Sequence, residues 1–483
     1  MNNKITKSTV ISSLFWKLME RGGLQVIGLI VQTVLARLLV PNDFGTIAIV
    51  LVFINIAQVF VQSGLNTALI QKKDADDIDF STVLYASFII ATVFYLIIFV
   101  TAPGVAKFYE NMELVRLLRV LSLILFPGAL NTVQNAFISR DMLFEKLFRI
   151  SMVSVIISGI AGITAAYVGM GVWALVIYYF LNQVSITMII WFTVEWRPIL
   201  KFSFMRLKGL LSFGGKLLVS SLIHTLYMDL RTLIIGRIYS PSTLGYYNRG
   251  ESVPKSLVNA IGGSIQSVML PTLSSVQDNK SDLKRVVRRS IKTISFIVFP
   301  TMSGLAVVAE PLVTLLLGEK WLPAVPFMQI FCVSAAFQVL HTANYQGISA
   351  LGRGDIYLKL EIIKKIVGIS ILVISIPFGI YAIAFGYAVS AILEALIHMW
   401  PNKRLYDYSA KEQIRDIMPA FILSFVMGVA IYMIEFINLP SWQLLLIQIT
   451  SGVLIYIGLS KLFKVESWSY VVVSINEMIT RKK

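Results

Sequence analysis

The sequence predicts an all-α polytopic membrane protein with about fourteen transmembrane helices. Of its 483 residues, 57% are hydrophobic and only 14% are charged, and the mean hydropathy is +0.77. Apolar runs of about 20 residues recur from one end of the chain to the other, and each is long enough to cross a hydrocarbon core of about 30 Å. A water-soluble enzyme of this size needs far more polar surface, so that class is excluded.

Hydrophobic windows and turn residues place the individual spans. The first six are predicted near 12–39, 44–70, 81–103, 114–139, 148–169 and 172–194. The next six are predicted near 209–238, 243–271, 290–309, 323–349, 359–379 and 381–400, and the last two near 414–435 and 442–463. We assign these spans to an N-terminal lobe (1–200), a C-terminal lobe (201–402) and a final helix pair with a tail (403–483).

The distribution of Lys and Arg predicts the orientation. The chain has 42 of these residues and a formal net charge of +16. With a cytoplasmic N-terminus, the outer side holds only Arg37, Lys107, Arg116, Arg119, Arg237 and Lys320. Most of the others lie in inner loops and tails, as the positive-inside rule requires, so both termini are expected in the cytoplasm of a bacterium, with the chain in its cytoplasmic membrane. The basic residues form short clusters between spans rather than one patch, so no nucleic-acid partner is expected.

An internal repeat relates the two halves. Segment 36–45 carries Arg, Pro and Gly at positions that recur without a gap in segment 236–245, an offset of 200 residues. The bland interpretation is that Pro and Gly separate two helices while Arg37 and Arg237 extend to outer headgroups. Parallel repeats of six spans, related by an axis along the membrane normal, predict a substrate path between them near the midplane.

Charged residues within the spans predict what that path carries, because such residues are costly in lipid and face a bundle interior or water. Span one has a polar stripe of Lys17, Arg21, Gln25, Gly28 and Gln32, with Glu20 beside it. Span two carries Asn55, Gln58, Gln62 and Asn66. Span seven has Lys216, Ser220, His224, Tyr227 and Arg231, with Asp229 on a neighbouring face, and span eight offers Arg249, Lys255 and Asn259.

These residues predict a wet cavity of net positive charge, which favours an anionic substrate. The candidate substrate-binding residues are Arg21, Lys216, Arg249, Lys255, Lys17, His224, Arg231 and Asn259. The alternative is local neutralisation, in which these cations pair with neighbouring carboxylates only to make the helices insertable.

Three carboxylates, Asp229, Glu251 and Glu394, are candidates for coupling to a H⁺ or Na⁺ gradient, and each is alternatively a structural ion-pair partner.

The three histidines of the chain lie far apart in sequence, so no metal site is expected. We expect His398 at the membrane interface and Lys364 to extend to headgroups. The sequence has no phosphate-binding Gly-Lys-Ser/Thr loop and no other nucleotide or hydrolase motif, so we expect no cofactor and no enzymatic activity.

Three segments resemble a known family. The chain carries LARLLVPNDFG at 35–45, LGYYNR at 244–249 and LPTLS at 270–274. These segments resemble the polysaccharide flippases of the multidrug/oligosaccharidyl-lipid/polysaccharide exporter superfamily, most of all the Wzx-type members. The resemblance implies two six-helix lobes, a cationic cavity for a pyrophosphate and sugars, and two extra helices that form a groove for a lipid tail.

The function so predicted is a secondary-type transporter. The resemblance implies that it flips undecaprenyl-pyrophosphate-linked oligosaccharide from the cytoplasmic to the outer leaflet by alternating access, for exopolysaccharide, O-antigen or teichuronic-type polymers. Its partners would be the bilayer and the polymerase and glycosyltransferases of the same pathway. The alternatives are a drug/cation antiporter of the same superfamily, which should prefer an acidic cavity, and a membrane-embedded glycan polymerase or scaffold.

Overall fold

A computed structural model of the chain describes residues 7–62, 64–437 and 439–468, without the side chains of 7–22, 264–268, 270 and 271. The regular structure in these ranges is helical throughout. By their contacts, the residues divide into two compact units, 1–248 and 249–483. The boundary lies within one long helix that begins in the first unit and continues in the second.

Nine α-helices lie in the described part of the first unit. They are α1 (Lys7–Leu38), α2 (Pro41–Gln62), α3 (Leu65–Gln71), α4 (Asp77–Phe108), α5 (Glu113–Leu121), α6 (Leu125–Arg140), α7 (Phe144–Tyr167), α8 (Val172–Thr193) and α9 (Phe204–Ile238). The boundary helix and the described part of the second unit provide α10 (Pro241–Ser274), α11 (Lys280–Val307), α12 (Ala309–Leu316), α13 (Val325–Ala350), α14 (Gly354–Ser375), α15 (Ile380–Met399), α16 (Asn402–Tyr406), α17 (Ala410–Tyr432) and α18 (Ser441–Leu462).

Each predicted span has a helix at its place, and the predicted all-α membrane architecture is confirmed. Among the described residues, 10 helices are long and apolar enough to cross a membrane. The exact number of fourteen crossings stays a prediction. So do the lobe boundaries, although α9, which we assigned to the C-terminal lobe, packs against α2 and α3 of the first unit.

Polar side chains fix where α4 begins. The carboxylate of Asp76 accepts hydrogen bonds from the backbone N–H groups of Ile78 and Asp79, at 3.1 and 3.0 Å, which satisfies two of the free donors at the helix start. Asp76 also forms an ion pair with Arg206 at the start of α9. The Arg206 guanidinium lowers the pKa of Asp76 to about 2, so this contact ties the starts of α4 and α9 together at neutral pH.

Glycines allow close helix contacts in the first unit. A Cβ on Gly159 of α7 would lie 2.8 Å from a side-chain atom of Val31 in α1. Gly64, with a φ of +86°, and Gly214 in α9 meet backbone to backbone, since a Cβ on Gly64 would lie 2.2 Å from the Gly214 carbonyl oxygen. These contacts set α1 against α7 and α9 against the break between α2 and α3.

The two repeat segments meet through the proline and glycine that both contain, in the first turns of α2 and α10. A Cβ on Gly45 would lie 1.6 Å from the carbonyl oxygen of Pro241, and a Cβ on Gly245 would lie 2.1 Å from the carbonyl oxygen of Pro41. Two segments that are related by a local two-fold axis make reciprocal contacts of this kind. The glycines that the sequence analysis read as helix breaks therefore also permit this crossing.

In the second unit, α13 packs against α11 and α15, and α11 packs against α17. Large side chains fill this core, among them Trp321 and Phe331, which are almost fully buried. The final pair, α17 and α18, packs together around Met427, Ile431 and Tyr456. The Tyr456 hydroxyl donates a 2.9 Å hydrogen bond to the carbonyl oxygen of Phe296, which attaches the pair to α11.

Candidate functional site

The polar stripe predicted on span seven lies on α9. Lys216 and His224 are exposed at the surface of the first unit, whereas Arg231 is buried, with 8% of its surface exposed. The guanidinium of Arg231 lies 5.8 Å from the centre of the Tyr227 ring, within range of a cation–π contact. The stripe therefore combines accessible cationic or polar groups in its first half with a packed arginine in its second half.

Asp229 connects α9 to the polar face of α2. Nδ2 of Asn55 donates a hydrogen bond to Oδ2 of Asp229, with a separation of 3.4 Å. The polar residues that the sequence placed on spans two and seven are thus neighbours. This contact gives Asp229, a coupling candidate, a neutral hydrogen-bond donor on another helix.

The remaining amides of α2 form a cluster that sequence reasoning found only in part. Nε2 of Gln62 donates to Oε1 of Gln58 at 3.3 Å. Both side chains lie beside Gly128 of α6, and so does Gln183 of α8, whose Nε2 would be 3.9 Å from a Cβ on Gly128. Gln183 could have been found from the sequence, because it is a polar residue within the otherwise apolar span 172–194.

On α10, two of the predicted residues pair with each other. Nζ of Lys255 lies 3.0 Å from Oε1 of Glu251, one helical turn earlier. The Lys255 side chain is 51% exposed and that of Glu251 is 22% exposed. Asn259, one turn further along the helix, is exposed. Lys255 is therefore both neutralised by its neighbour and accessible at the surface of its unit.

Arg249 lies nearer the start of α10, where its guanidinium is 5.8 Å from the centre of the Trp321 ring. The next residue, Gly250, contacts the backbone of α13, because a Cβ there would lie 2.8 Å from the nitrogen of Met328. Close packing thus fixes this turn of α10. Glu394 lies on α15 and is half-buried.

Two candidate residues, Lys17 and Arg21, belong to α1 but their side chains lie outside the described part of the chain. Further along α1, Val26 and Ile30 are 58% and 59% exposed, which marks an apolar face suited to lipid. Gln32 lies on another side of the helix and hydrogen-bonds the hydroxyl of Tyr178 in α8. Gln32, the last residue of the α1 stripe, therefore contacts another helix of the first unit.

Two expectations about interfacial residues are wrong. His398 is fully buried, with 0% exposure, and its ring stands edge to face with that of His341, with centroids 4.0 Å apart. Lys364 does not extend to headgroups, since its ammonium lies 2.6 Å from Oε1 of Glu361 and its side chain is 13% exposed. Arg237, for which extension to headgroups was the bland interpretation, is 44% exposed and pairs with Glu110 at 3.0 Å.

The basic cluster of α11 lines a cavity of about 460 Å³. Its charged lining residues are Lys284, Arg285, Arg288, Arg289, Lys292 and Glu466. Arg288 makes a bidentate contact with Asp416 of α17, at 2.7 and 2.8 Å, and Lys292 lies 2.5 Å from Glu466. Much of this positive charge is therefore neutralised by α17 and by the segment after α18.

The comparison with known families decides the affiliation. Residues 34–326 match the family described as polysaccharide biosynthesis protein. The chain belongs to this family.

Two relatives extend the match over most of the chain. The teichuronic acid biosynthesis protein TuaB of Bacillus subtilis is 24% identical over 410 residues, covering 83% of this chain and 85% of that protein. The lipopolysaccharide biosynthesis protein WzxC of Escherichia coli is 25% identical over 443 residues, covering 88% and 89%. The family resemblance read from the three sequence segments is confirmed.

A solved structure gives the fold. The lipid II flippase MurJ in an inward closed conformation superposes with a TM-score of 0.77 at 16% identity, covering 92% of this chain and 98% of MurJ. At this identity the likeness concerns the fold alone. The chain is thus a multi-pass membrane protein of the polysaccharide biosynthesis family with a flippase-like helical fold.

Proposed function

We propose that this chain flips undecaprenyl-pyrophosphate-linked oligosaccharides across the bacterial cytoplasmic membrane by alternating access. Membership of the polysaccharide biosynthesis family and the similarity to proteins named for teichuronic acid and lipopolysaccharide biosynthesis support a carbohydrate cargo. The membrane-embedded helices support a cargo carried on a lipid. The cytoplasmic location of both termini follows from the basic inner loops.

The observation that carries the proposal is the set of cations on α9 and α10. Lys216 and Lys255 are exposed on long helices of a membrane protein, and a cation within a membrane span is costly unless it meets water or an anion. Phosphate oxygens are bound well by Lys and Arg, by Lys as a mobile point charge and by Arg in bidentate geometry. We therefore assign the pyrophosphate to these residues, with Arg21, Arg249 and Arg231 as further contacts.

The pair of Lys255 and Glu251 suggests how the headgroup is exchanged. Without substrate, Glu251 neutralises the ammonium at 3.0 Å. A pyrophosphate that carries more negative charge than one carboxylate competes for Lys255 and releases Glu251. Binding then exchanges one ionic contact for another rather than burying a new charge, which keeps the cost of substrate entry low.

An ion gradient would drive the cycle through a carboxylate on one of the spans. We assign this role to Asp229 or Glu394, each a carboxylate within a predicted span, and Glu251, which pairs with Lys255 at 3.0 Å, is the third candidate. The polymerase and glycosyltransferases of the same pathway would supply and consume the lipid-linked oligosaccharide.

The test is complementation of polymer export in a bacterium that lacks its own flippase for a defined repeat unit. We expect the wild-type chain to restore export, Lys255→Ala to lose at least nine-tenths of it, and Lys255→Arg to keep a substantial part. Lys411→Ala is the matched control, since Lys411 is an exposed lysine in the first turn of α17. Equal export by Lys255→Ala and wild type at matched protein levels would remove Lys255 from the substrate site.

A further inference from the structure

A cluster of two histidines and one glutamate, of which His398 is buried and the other two are half-buried, lies where three helices of the second unit meet. His341 is on α13, Glu361 on α14 and His398 on α15, and one ligand atom from each lies within 4.8 Å of the other two. All three lie toward the same end of the bundle, where α13 and α15 end and α14 begins. The cluster has no part in the proposed substrate site on α9 and α10.

Both histidines place an unsatisfied ring nitrogen in this cluster. Nε2 of His341 and Nε2 of His398 are buried and have no hydrogen-bond partner among the described residues. Buried polar atoms in native proteins are nearly always hydrogen-bonded, because an unpaired one costs folding free energy. Two such unpaired nitrogens next to a carboxylate indicate that the cluster is a binding site for a ligand.

The other ring nitrogen of His398 fixes the chemistry of Nε2. Nδ1 lies 3.0 Å from the backbone carbonyl oxygen of Glu394. A carbonyl oxygen only accepts, so Nδ1 carries the proton and donates it. Nε2 then presents a lone pair toward His341 and Glu361. A backbone carbonyl that orients the distal nitrogen in this way is a common partner of metal-binding histidines.

Glu361 adds the negative charge. Its Oε1 lies 3.9 Å from Nε2 of His341 and 2.6 Å from Nζ of Lys364. The carboxylate has two oxygens, so one can bind a metal ion while the other keeps its contact with Lys364. The ammonium and a metal ion nevertheless repel each other, and Lys364 therefore lowers the affinity of the site.

We propose that His341, Glu361 and His398 bind a divalent transition-metal ion of the Zn²⁺ class. Imidazole nitrogens suit Zn, Cu, Fe and Ni, whereas Na⁺, Mg²⁺ and Ca²⁺ prefer oxygen ligands. Two histidines and one glutamate form a known three-residue zinc ligand set with an open fourth position.

The geometry requires only small movements. Donor atoms at about 2.0–2.2 Å from a tetrahedral ion lie about 3.3–3.5 Å from each other. The three side chains must therefore close by roughly an ångström, which small rotations about their χ angles provide. The bound ion links α13, α14 and α15 at one end of the bundle and so stabilises the folded second unit.

The test uses the full-length protein, purified on a tag without histidine, stripped with a chelator and then titrated with Zn²⁺ or Co²⁺. We expect one ion per chain by mass spectrometry, the visible absorption of four-coordinate Co²⁺, and a rise in Tm of roughly 5 °C at saturating Zn²⁺. His398→Ala and Glu361→Gln should weaken binding at least tenfold. His224→Ala, which removes the histidine on α9, should bind as the wild type does.

Lys364→Met keeps the proposal testable if the histidine variants do not fold. It removes the competing ammonium, and we expect it to bind Zn²⁺ at least tenfold more tightly than the wild type. Absence of a stoichiometric ion in both the wild type and Lys364→Met would overturn the proposal. Equal binding by His398→Ala and the wild type would do the same, since it indicates an adventitious surface ion only. Neither result bears on lipid flipping, which is measured separately.

Discussion

Single glycines decide how closely the repeat segments of the first unit approach. Gly45 and Gly245 each face the other segment's proline carbonyl, and neither position has room for a methyl group. The sequence marked both glycines as turn residues. It did not reveal the crossing, because a turn and a close contact require the same residue type and only the packed chain distinguishes them.

Gly45→Ala should therefore destabilise the protein by about 3 kcal/mol, since the new Cβ meets backbone that cannot easily move. The readout is thermal unfolding in detergent with a thiol-reactive dye, because Cys332 is the one cysteine of the chain and is only 2% exposed. Gly104→Ala is the control, as a Cβ there has nothing within 4 Å. An unchanged unfolding midpoint for Gly45→Ala would contradict the crossing.

Substitutions in the Lys255–Glu251 pair distinguish substrate binding from stabilisation of α10. If Lys255 binds the pyrophosphate and Glu251 only neutralises it, Glu251→Gln should keep the initial rate of flipping within about threefold of wild type. Lys255→Ala should lower the initial rate of flipping more than tenfold, which corresponds to a loss of at least about 1.4 kcal/mol in transition-state stabilisation. Equal losses in both variants would mean that the pair acts as a structural ion pair within α10.

At the scale of elements, ion pairs attach the final helix pair to α11. Asp416 of α17 is only 5% exposed and lies between Arg288, Lys292 and the hydroxyl of Tyr408. The sequence analysis used the basic residues of the inner loops only to predict the orientation of the chain. The acidic residues of α17 that oppose it lie more than a hundred residues further along the chain, so sequence spacing does not report the contact.

Arg288→Ala should cost about 2 kcal/mol of stability, because it removes a bidentate partner from a nearly buried carboxylate. The same dye-based unfolding assay measures the loss. Arg285→Ala is the control, since that side chain is 76% exposed and, within the described ranges, its ion pair is with Asp282 on its own helix, a type of contact worth little. A similar small effect of both changes would show that the contact with Asp416 does not stabilise the docking of α17.

The spans were predicted well because a long apolar run in a bilayer must satisfy its backbone hydrogen bonds internally, as a helix does. Polar stripes on α2 and α9 also proved informative, as Asn55 and Asp229 do meet. The cluster of His341 and His398 was missed for a physical reason. Hydropathy gives the position and length of a helix but not its neighbours, so two histidines more than fifty residues apart gave no sign of their contact.

At the scale of the whole molecule, the orientation in the membrane is directly testable. Cys332 is buried, so the wild-type chain should react little with a membrane-impermeant maleimide in intact cells. After Cys332→Ser, Lys320→Cys should be labelled from outside, and Lys411→Cys only after the membrane is opened, as expected for cytoplasmic termini. The reverse pattern would invert the proposed direction of transport.

We propose that the chain moves a lipid-linked oligosaccharide and uses the cations of α9 and α10 to do so. The most direct measurement is translocation of a fluorescent undecaprenyl-pyrophosphate oligosaccharide in proteoliposomes that contain the wild type, Lys255→Ala or Lys411→Ala at equal density. We predict flipping by the wild type and by Lys411→Ala, and at least a tenfold loss with Lys255→Ala. Wild-type liposomes that flip no faster than empty ones, across several glycans and imposed H⁺ or Na⁺ gradients, would contradict the account.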